Sequence, residues 1–110
     1  MKLHNGHRAF VDISKLTDYC LSPVHPKGRH KARVFASVLG LDAGHAEFLR
    51  SALLEAARDA EAVPADHDEY GRRYVVDFLL VGPSGRGTVR STWIVRAAED
   101  FPRLTSCWVL

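Results

Sequence analysis

The stretch Arg73-Tyr74-Val75-Val76-Asp77-Phe78-Leu79-Leu80-Val81-Gly82-Pro83-Ser84-Gly85-Arg86-Gly87-Thr88-Val89-Arg90-Ser91-Thr92-Trp93-Ile94-Val95-Arg96-Ala97 decides the fold. It holds two runs, Arg73 to Val81 and Gly87 to Ala97, rich in residues that suit a pleated surface. Between them stands Gly82-Pro83-Ser84-Gly85, a strong turn signal. So short a connection favours antiparallel neighbours, because a parallel pair needs a long crossover. Downstream, Glu99-Asp100-Phe101-Pro102 reads as a second turn and Arg103 to Leu110 as a third strand.

Upstream, residues Glu61 to Gly71 are polar apart from Ala62-Val63-Pro64-Ala65. That apolar patch predicts a short edge strand, with Asp66 to Glu69 and Gly71 as a turn. Before it, Asp42 suits the N-cap of a helix running to about Ala60. Ala46, Leu49, Leu53, Ala56 and Ala60 recur at three and four, and Phe48, Ala52 and Ala57 widen the stripe. A first helix is predicted from about Arg29 to Leu39, with Phe35, Val38 and Leu39 inward and Gly40 as C-cap. Ser22-Pro23-Val24-His25-Pro26 breaks regular structure, since each proline biases its predecessor away from helix. Ala9 to Ile13 reads as a short strand or extended lead-in, and Asp12 or Ser14 can cap a helical turn through Leu16 and Tyr19.

The predicted fold class is α+β: two helices packed on one face of a three- to four-stranded antiparallel sheet. The expected organisation is a single domain over 1–110, with a lead-in (1–20), a helical part (21–60) and a sheet (61–110). With 110 residues, 46% of them hydrophobic and 25% charged, the chain can build one core and is not of disordered composition. No secretory leader and no membrane-length apolar run is read, so a cytoplasmic setting is expected. Cys20 and Cys107 are then expected to be reduced thiols, since disulfides belong mainly to oxidising compartments.

Charge is distributed unevenly. The net balance is +5 over Met1–Phe35, −6 over Ala36–Tyr70 and +3 over Gly71–Leu110. A packed chain can thus present a basic face built from both ends, suited to an anionic partner. The plainer alternative is a solvated surface with ordinary clustering. Within the basic part, His25-Pro26-Lys27-Gly28-Arg29-His30-Lys31 combines two imidazoles, three cations and a turn at a helix start. Lys31 borders the apolar stripe of the first helix, so its stem can lie along the sheet while the ammonium reaches a polar edge. This predicts Lys31 within a few ångströms of Arg90 or Thr92. Arg29 and Arg33 share the exposed face of that helix.

Alternation sorts the strands by face. In the second, Thr88, Arg90, Thr92, Ile94 and Arg96 share one side, and Val89, Ser91, Trp93 and Val95 the core side. In the third, Arg103, Thr105, Cys107 and Val109 share one side, opposite Leu104, Ser106, Trp108 and Leu110. An open face carrying Arg90, Thr92, Arg103 and Thr105 offers guanidinium forks and hydroxyls for a phosphate. No HExxH, CxxC, GxGxxG or Walker pattern is present, so neither a metal nor a nucleotide cofactor is expected.

The run Leu21 to Phe35 (LSPVHPKGRHKARVF) resembles the opening motif of an uncharacterised bacterial family, the domain of unknown function numbered 6883. Tyr70-Gly71-Arg72-Arg73-Tyr74-Val75-Val76, Thr88-Val89-Arg90-Ser91-Thr92-Trp93 and Phe101-Pro102-Arg103-Leu104-Thr105-Ser106 resemble its later motifs, so the likeness covers about Leu16 to Leu110. The resemblance implies a small free protein or the C-terminal piece of a larger toxin-like protein. The order of helices and then sheet also resembles small toxin ribonucleases of the barnase, colicin and RelE kind, a fold-level analogy.

These readings lead to the expectation of an RNase-like toxin domain working without metal. His25 would act as base or acid, and Lys31, Arg90 and Arg103 would offset developing charge. Thr92, Thr105 and Tyr74 would orient the phosphate, and Arg29 and Arg33 would add substrate contacts. The alternatives are a non-catalytic module for nucleic acid or protein, and a toxin–antitoxin type partner protein using exposed Phe101, Trp108 and Val109-Leu110.

Overall fold

The computed structural model describes residues 1–110. Two helices precede a four-stranded sheet. The first, α1 (Gly28–Val34), continues without a break into a π-type turn over Phe35–Leu39, and the second is α2 (Ala46–Asp59). The strands β1 (Ala62–Asp68), β2 (Gly71–Gly82), β3 (Gly85–Arg96) and β4 (Pro102–Val109) form an antiparallel meander in chain order. The α+β architecture of two helices on an antiparallel sheet is therefore as the sequence predicts.

Local chemistry explains the boundaries. Gly40 ends the first helical run in the left-handed region (φ 73°), and its amide bonds back to the Ala36 and Phe35 carbonyls. Asp42 accepts from the Gly44 amide, and His45 Nδ1 lies 3.2 Å from the Asp42 amide, which satisfies the open end of the 3-10 turn leading into α2. Phe35 and Leu39 from the first run, and Leu49, Leu53 and Ala57 from α2, are fully buried against Val76, Val89 and Trp93 of the sheet. Each large side chain so buried contributes roughly 1.5–3 kcal/mol relative to exposure. Trp93 Nε1 donates to Ser91 Oγ at 2.9 Å, and Ser91 donates to the Val76 carbonyl at 2.7 Å, so the buried polar atoms of this layer are satisfied.

Three local expectations are corrected. The segment read as a turn at Asp66 to Glu69 instead extends β1 to Asp68, after a register slip between Pro64 and His67. Polar residues extend the strand there because it is an outer edge with nothing packed over it. Phe48 does not widen the buried stripe of α2 and is 44% exposed. The third correction concerns β4. Leu104 pairs with Trp93 and Ser106 with Thr92, leaving Thr105 as an extra residue, a β-bulge. The bulge shifts the alternation by one. Leu104, Cys107 and Val109 all enter the core, whereas strict alternation would place Cys107 and Val109 beside Arg103 and Thr105.

The lead-in also docks on the sheet. Phe10 forms a one-residue parallel bridge beside Arg103, donating to the Pro102 carbonyl and accepting from the Leu104 amide. Asp12 then accepts from the amide and hydroxyl of Ser14 before the π-type turn Leu16–Cys20. That turn and α1 pack along β4.

Candidate functional site

The basic motif of residues 25–33 is built onto the Leu16–Cys20 turn. Gly28 opens α1 against that turn so closely that a Cβ would overlap the Tyr19 carbonyl. Ser22 accepts from the amides of Val24 and His25, and His25 Nδ1 accepts from the amides of Lys27 and Gly28, at 3.0 and 2.9 Å. His25 thus satisfies two amides at the start of α1, just ahead of its N-cap residue Lys27. Because Nδ1 accepts two bonds, the proton of a neutral ring sits on Nε2. The ring stands edge-on to Tyr19, with centroids 4.8 Å apart.

Lys31 completes the cluster. Its ammonium donates to Tyr19 Oη at 2.9 Å and lies over two rings, 4.8 Å from the Tyr19 centroid and 5.5 Å from that of Trp108. Such placement holds a cation in position without neutralising it. Beside it opens a cleft of about 300 Å³ lined by His30, Lys31, Val34, Trp108 and Val109. Lys27, Arg29, His30 and Arg33 project from the same part of the chain, are exposed, and have no ion-pair partner.

Three cations of the sheet are arranged otherwise, while Arg72, Arg86 and Arg96, at the ends of their strands, are exposed without an ion pair. Arg90 forks onto Asp77 with bonds of 2.9 and 2.8 Å, and Arg103 onto Glu99 with 2.8 and 2.7 Å. Arg73 is shared by Asp66 and Asp68. The hydrogen bonds from Arg90 hold the Asp77 carboxyl below the usual carboxylate range, and Arg103 does the same for Glu99. Thr92 and Thr105 face each other across the bulge, their hydroxyls 2.5 Å apart, and Thr105 also donates to the Thr92 carbonyl.

The residues singled out in the sequence therefore fall into three groups. His25, Lys31, Arg29 and Arg33 gather at the start and along α1. Arg90, Thr92, Arg103 and Thr105 lie on the open sheet face, bonded to partners within the chain. Tyr74 stands apart, since it pairs with Trp93 on the helix-covered face and is only 6% exposed. Lys31 reaches the sheet at Trp108, the cross-strand neighbour of Arg90, and its bond is to Tyr19. Sequence reading did not single out Tyr19 for the site. The prediction of a helical turn through that residue was the one signal pointing to it.

Beneath the cluster lie Cys20 and Cys107, both fully enclosed and unbridged. A hydrogen bond from Cys107 draws the Cys20 thiol down to about 7, and nearby Lys31 adds to this. The same bond and burial push Cys107 upward. No three His, Cys, Asp or Glu side chains gather as a metal-binding group, and no helix is long and apolar enough to cross a membrane.

Comparison with protein families matches residues 2–110 to a domain of unknown function, DUF6883, and the chain belongs to that family. Comparison with curated proteins finds no match.

Proposed function

We propose that this family member binds RNA, or a polyanion like it, through the exposed basic face of α1, without turnover. The observation that carries this reading is the uneven commitment of cations. Lys27, Arg29 and Arg33 are exposed, unpaired and gathered in one short stretch, whereas Arg73, Arg90 and Arg103 already hold carboxylates and the unpaired Arg72, Arg86 and Arg96 stand at strand ends. Only unpaired cations release counterions on meeting phosphates without first breaking an internal pair. The test is a titration of fluorescent RNA at several salt concentrations. Affinity that falls linearly on a log–log salt plot supports the reading, and no salt-sensitive binding defeats it.

Cleavage of RNA is the second reading, favoured by the contact among His25, Tyr19 and Lys31. In it, His25 keeps Nδ1 as acceptor and presents Nε2–H to a phosphate oxygen, while Lys31 offsets the charge that develops there. His25 then serves as a donor, and the role of base passes to another group. The outline shared with small toxin ribonucleases belongs to this reading as analogy. Purified protein incubated with total RNA and tRNA in EDTA tests it. Intact RNA across buffers, together with normal growth on expression, eliminates it.

A further inference from the structure

Along α1 each residue turns by about 100° around the axis. The exposed Arg29 and Arg33 therefore form one row, and the row of His30 and Val34 lies between them and Lys31. Val34 is the apolar member of an otherwise polar exposed face, and it is 37% exposed. With the half-buried Trp108 and with Val109 of β4, it walls the cleft of about 300 Å³ between α1 and the sheet. Lys31 stands at this cleft with its ammonium beside the Trp108 indole, bonded to a phenol and paired with no carboxylate. An apolar hollow thus opens between a row of arginines and a lysine. A face that held only phosphates would need no such hollow. A flat apolar body carried on an anionic backbone matches both parts, and that is the make-up of a nucleotide strand.

We infer that this cleft receives an unstacked base, so that α1 takes RNA as a single strand. The inference rests on the reading of α1 as an RNA-binding face and adds the form of RNA bound there. The strand runs along the row of Arg29 and Arg33, which hold its phosphates. One base turns across Val34 and packs against Trp108 and Val109, as bases pack on aromatic side chains in single-strand sites. The Lys31 ammonium, kept beside the indole by Tyr19, donates to the acceptor edge of that base. A duplex keeps its bases stacked and paired, so it reaches the arginine row and leaves the cleft empty. Charge alone would favour the opposite choice, because the duplex carries the denser phosphate charge.

The test titrates a fluorescein-labelled, unstructured RNA strand, and the same strand annealed to its complement, at one salt concentration. The single strand is expected to bind about tenfold more tightly, the scale of one base–aromatic contact. Trp93 is fully buried with its indole N–H bonded to Ser91, so a change in tryptophan emission on binding reports Trp108. The single strand is expected to quench that emission, and inorganic polyphosphate, which has charge but no bases, is expected to leave it unchanged. Trp108→Ala is expected to lower single-strand affinity about tenfold. If that variant fails to fold, Val34→Arg at its exposed helical position decides: it adds a cation but covers the indole, so the preference for single strand should disappear. Equal affinity for the two forms, tighter binding of the duplex, or emission that the strand leaves unquenched would overturn the inference while leaving RNA binding by α1 in place. Failure to bind either form would remove both.

Discussion

The basic face of α1 and the Arg73, Arg90 and Arg103 positions of the sheet carry the same kinds of cation in opposite circumstances. On the sheet, the register that places Asp77 opposite Arg90 also satisfies both guanidinium and carboxylate. On α1, Arg29 and Arg33 lie one turn apart with no carboxylate between them. Lys31, the member that turns toward the sheet, meets aromatic rings and a phenol instead of an acid. An anion arriving at Arg73, Arg90 or Arg103 must displace an internal carboxylate, and one arriving at α1 displaces only water and counterions. Guanidinium count therefore says less about a binding face than the distance to the nearest carboxylate.

The sharpest way to break this contrast is to reverse the charge on α1. The combined change Lys27→Glu, Arg29→Glu and Arg33→Glu is expected to weaken RNA binding roughly a hundredfold at low salt and to flatten the log–log salt slope by about 2. Anisotropy titrations measure both, and an unchanged slope would remove α1 from the interface. Lys31→Ala should act next most strongly. It is expected to lower affinity several-fold and to cost about 1 kcal/mol of stability, because the aromatic contacts and the buried stem are lost together. Paired titrations and urea melts separate those two losses.

Arg90→Ala probes the other side of the comparison. RNA affinity should stay within about twofold of wild type, since the unpaired cations of α1 remain in place. A tenfold loss would show that the sheet face takes part after all. The smallest effect is in pH. Asp77 titrates lower in the folded chain than its unfolded value near 4. Its contribution to stability is therefore complete above that value and fades as pH falls through the lowered folded value. Urea midpoints measured down the acid limb should decline less steeply for Asp77→Asn than for wild type, and equal slopes would remove Asp77 from the acid response.

Much of this architecture was legible because it follows from period and punctuation. The apolar spacing of Phe35 and Leu39, the turn at Gly82-Pro83-Ser84-Gly85 and the core side of β3 all report local rules. The bulge at Thr105 was not legible, since an extra residue is defined only against the partner strand. The same limit hid the Thr92–Thr105 contact and the entry of Cys107 into the core. For the site, the position of Lys31 beside an apolar stripe directed it toward the sheet correctly, but not toward Trp108 in particular. The bonds from His25 Nδ1 to the start of α1 are not legible, because Ser22-Pro23-Val24-His25-Pro26 reads only as an interruption. The burial of Tyr74 is not legible either, since only the pairing of β2 with β3 sets it opposite Trp93 in the core.

Both outer strands of the meander are closed to further pairing. On β1, Pro64 lacks an amide hydrogen, the register slips beyond it, and Asp66 and Asp68 bring charge to the rim. On β4, the lead-in at Phe10 occupies the start of the edge, and α1 with its preceding turn lies along the strand. Fibril growth needs a free, regular edge that can template an incoming strand, and this sheet offers none on either side. Trimming the lead-in through Phe10 would therefore be felt first as concentration-dependent self-association at β4, ahead of any change in what α1 can hold.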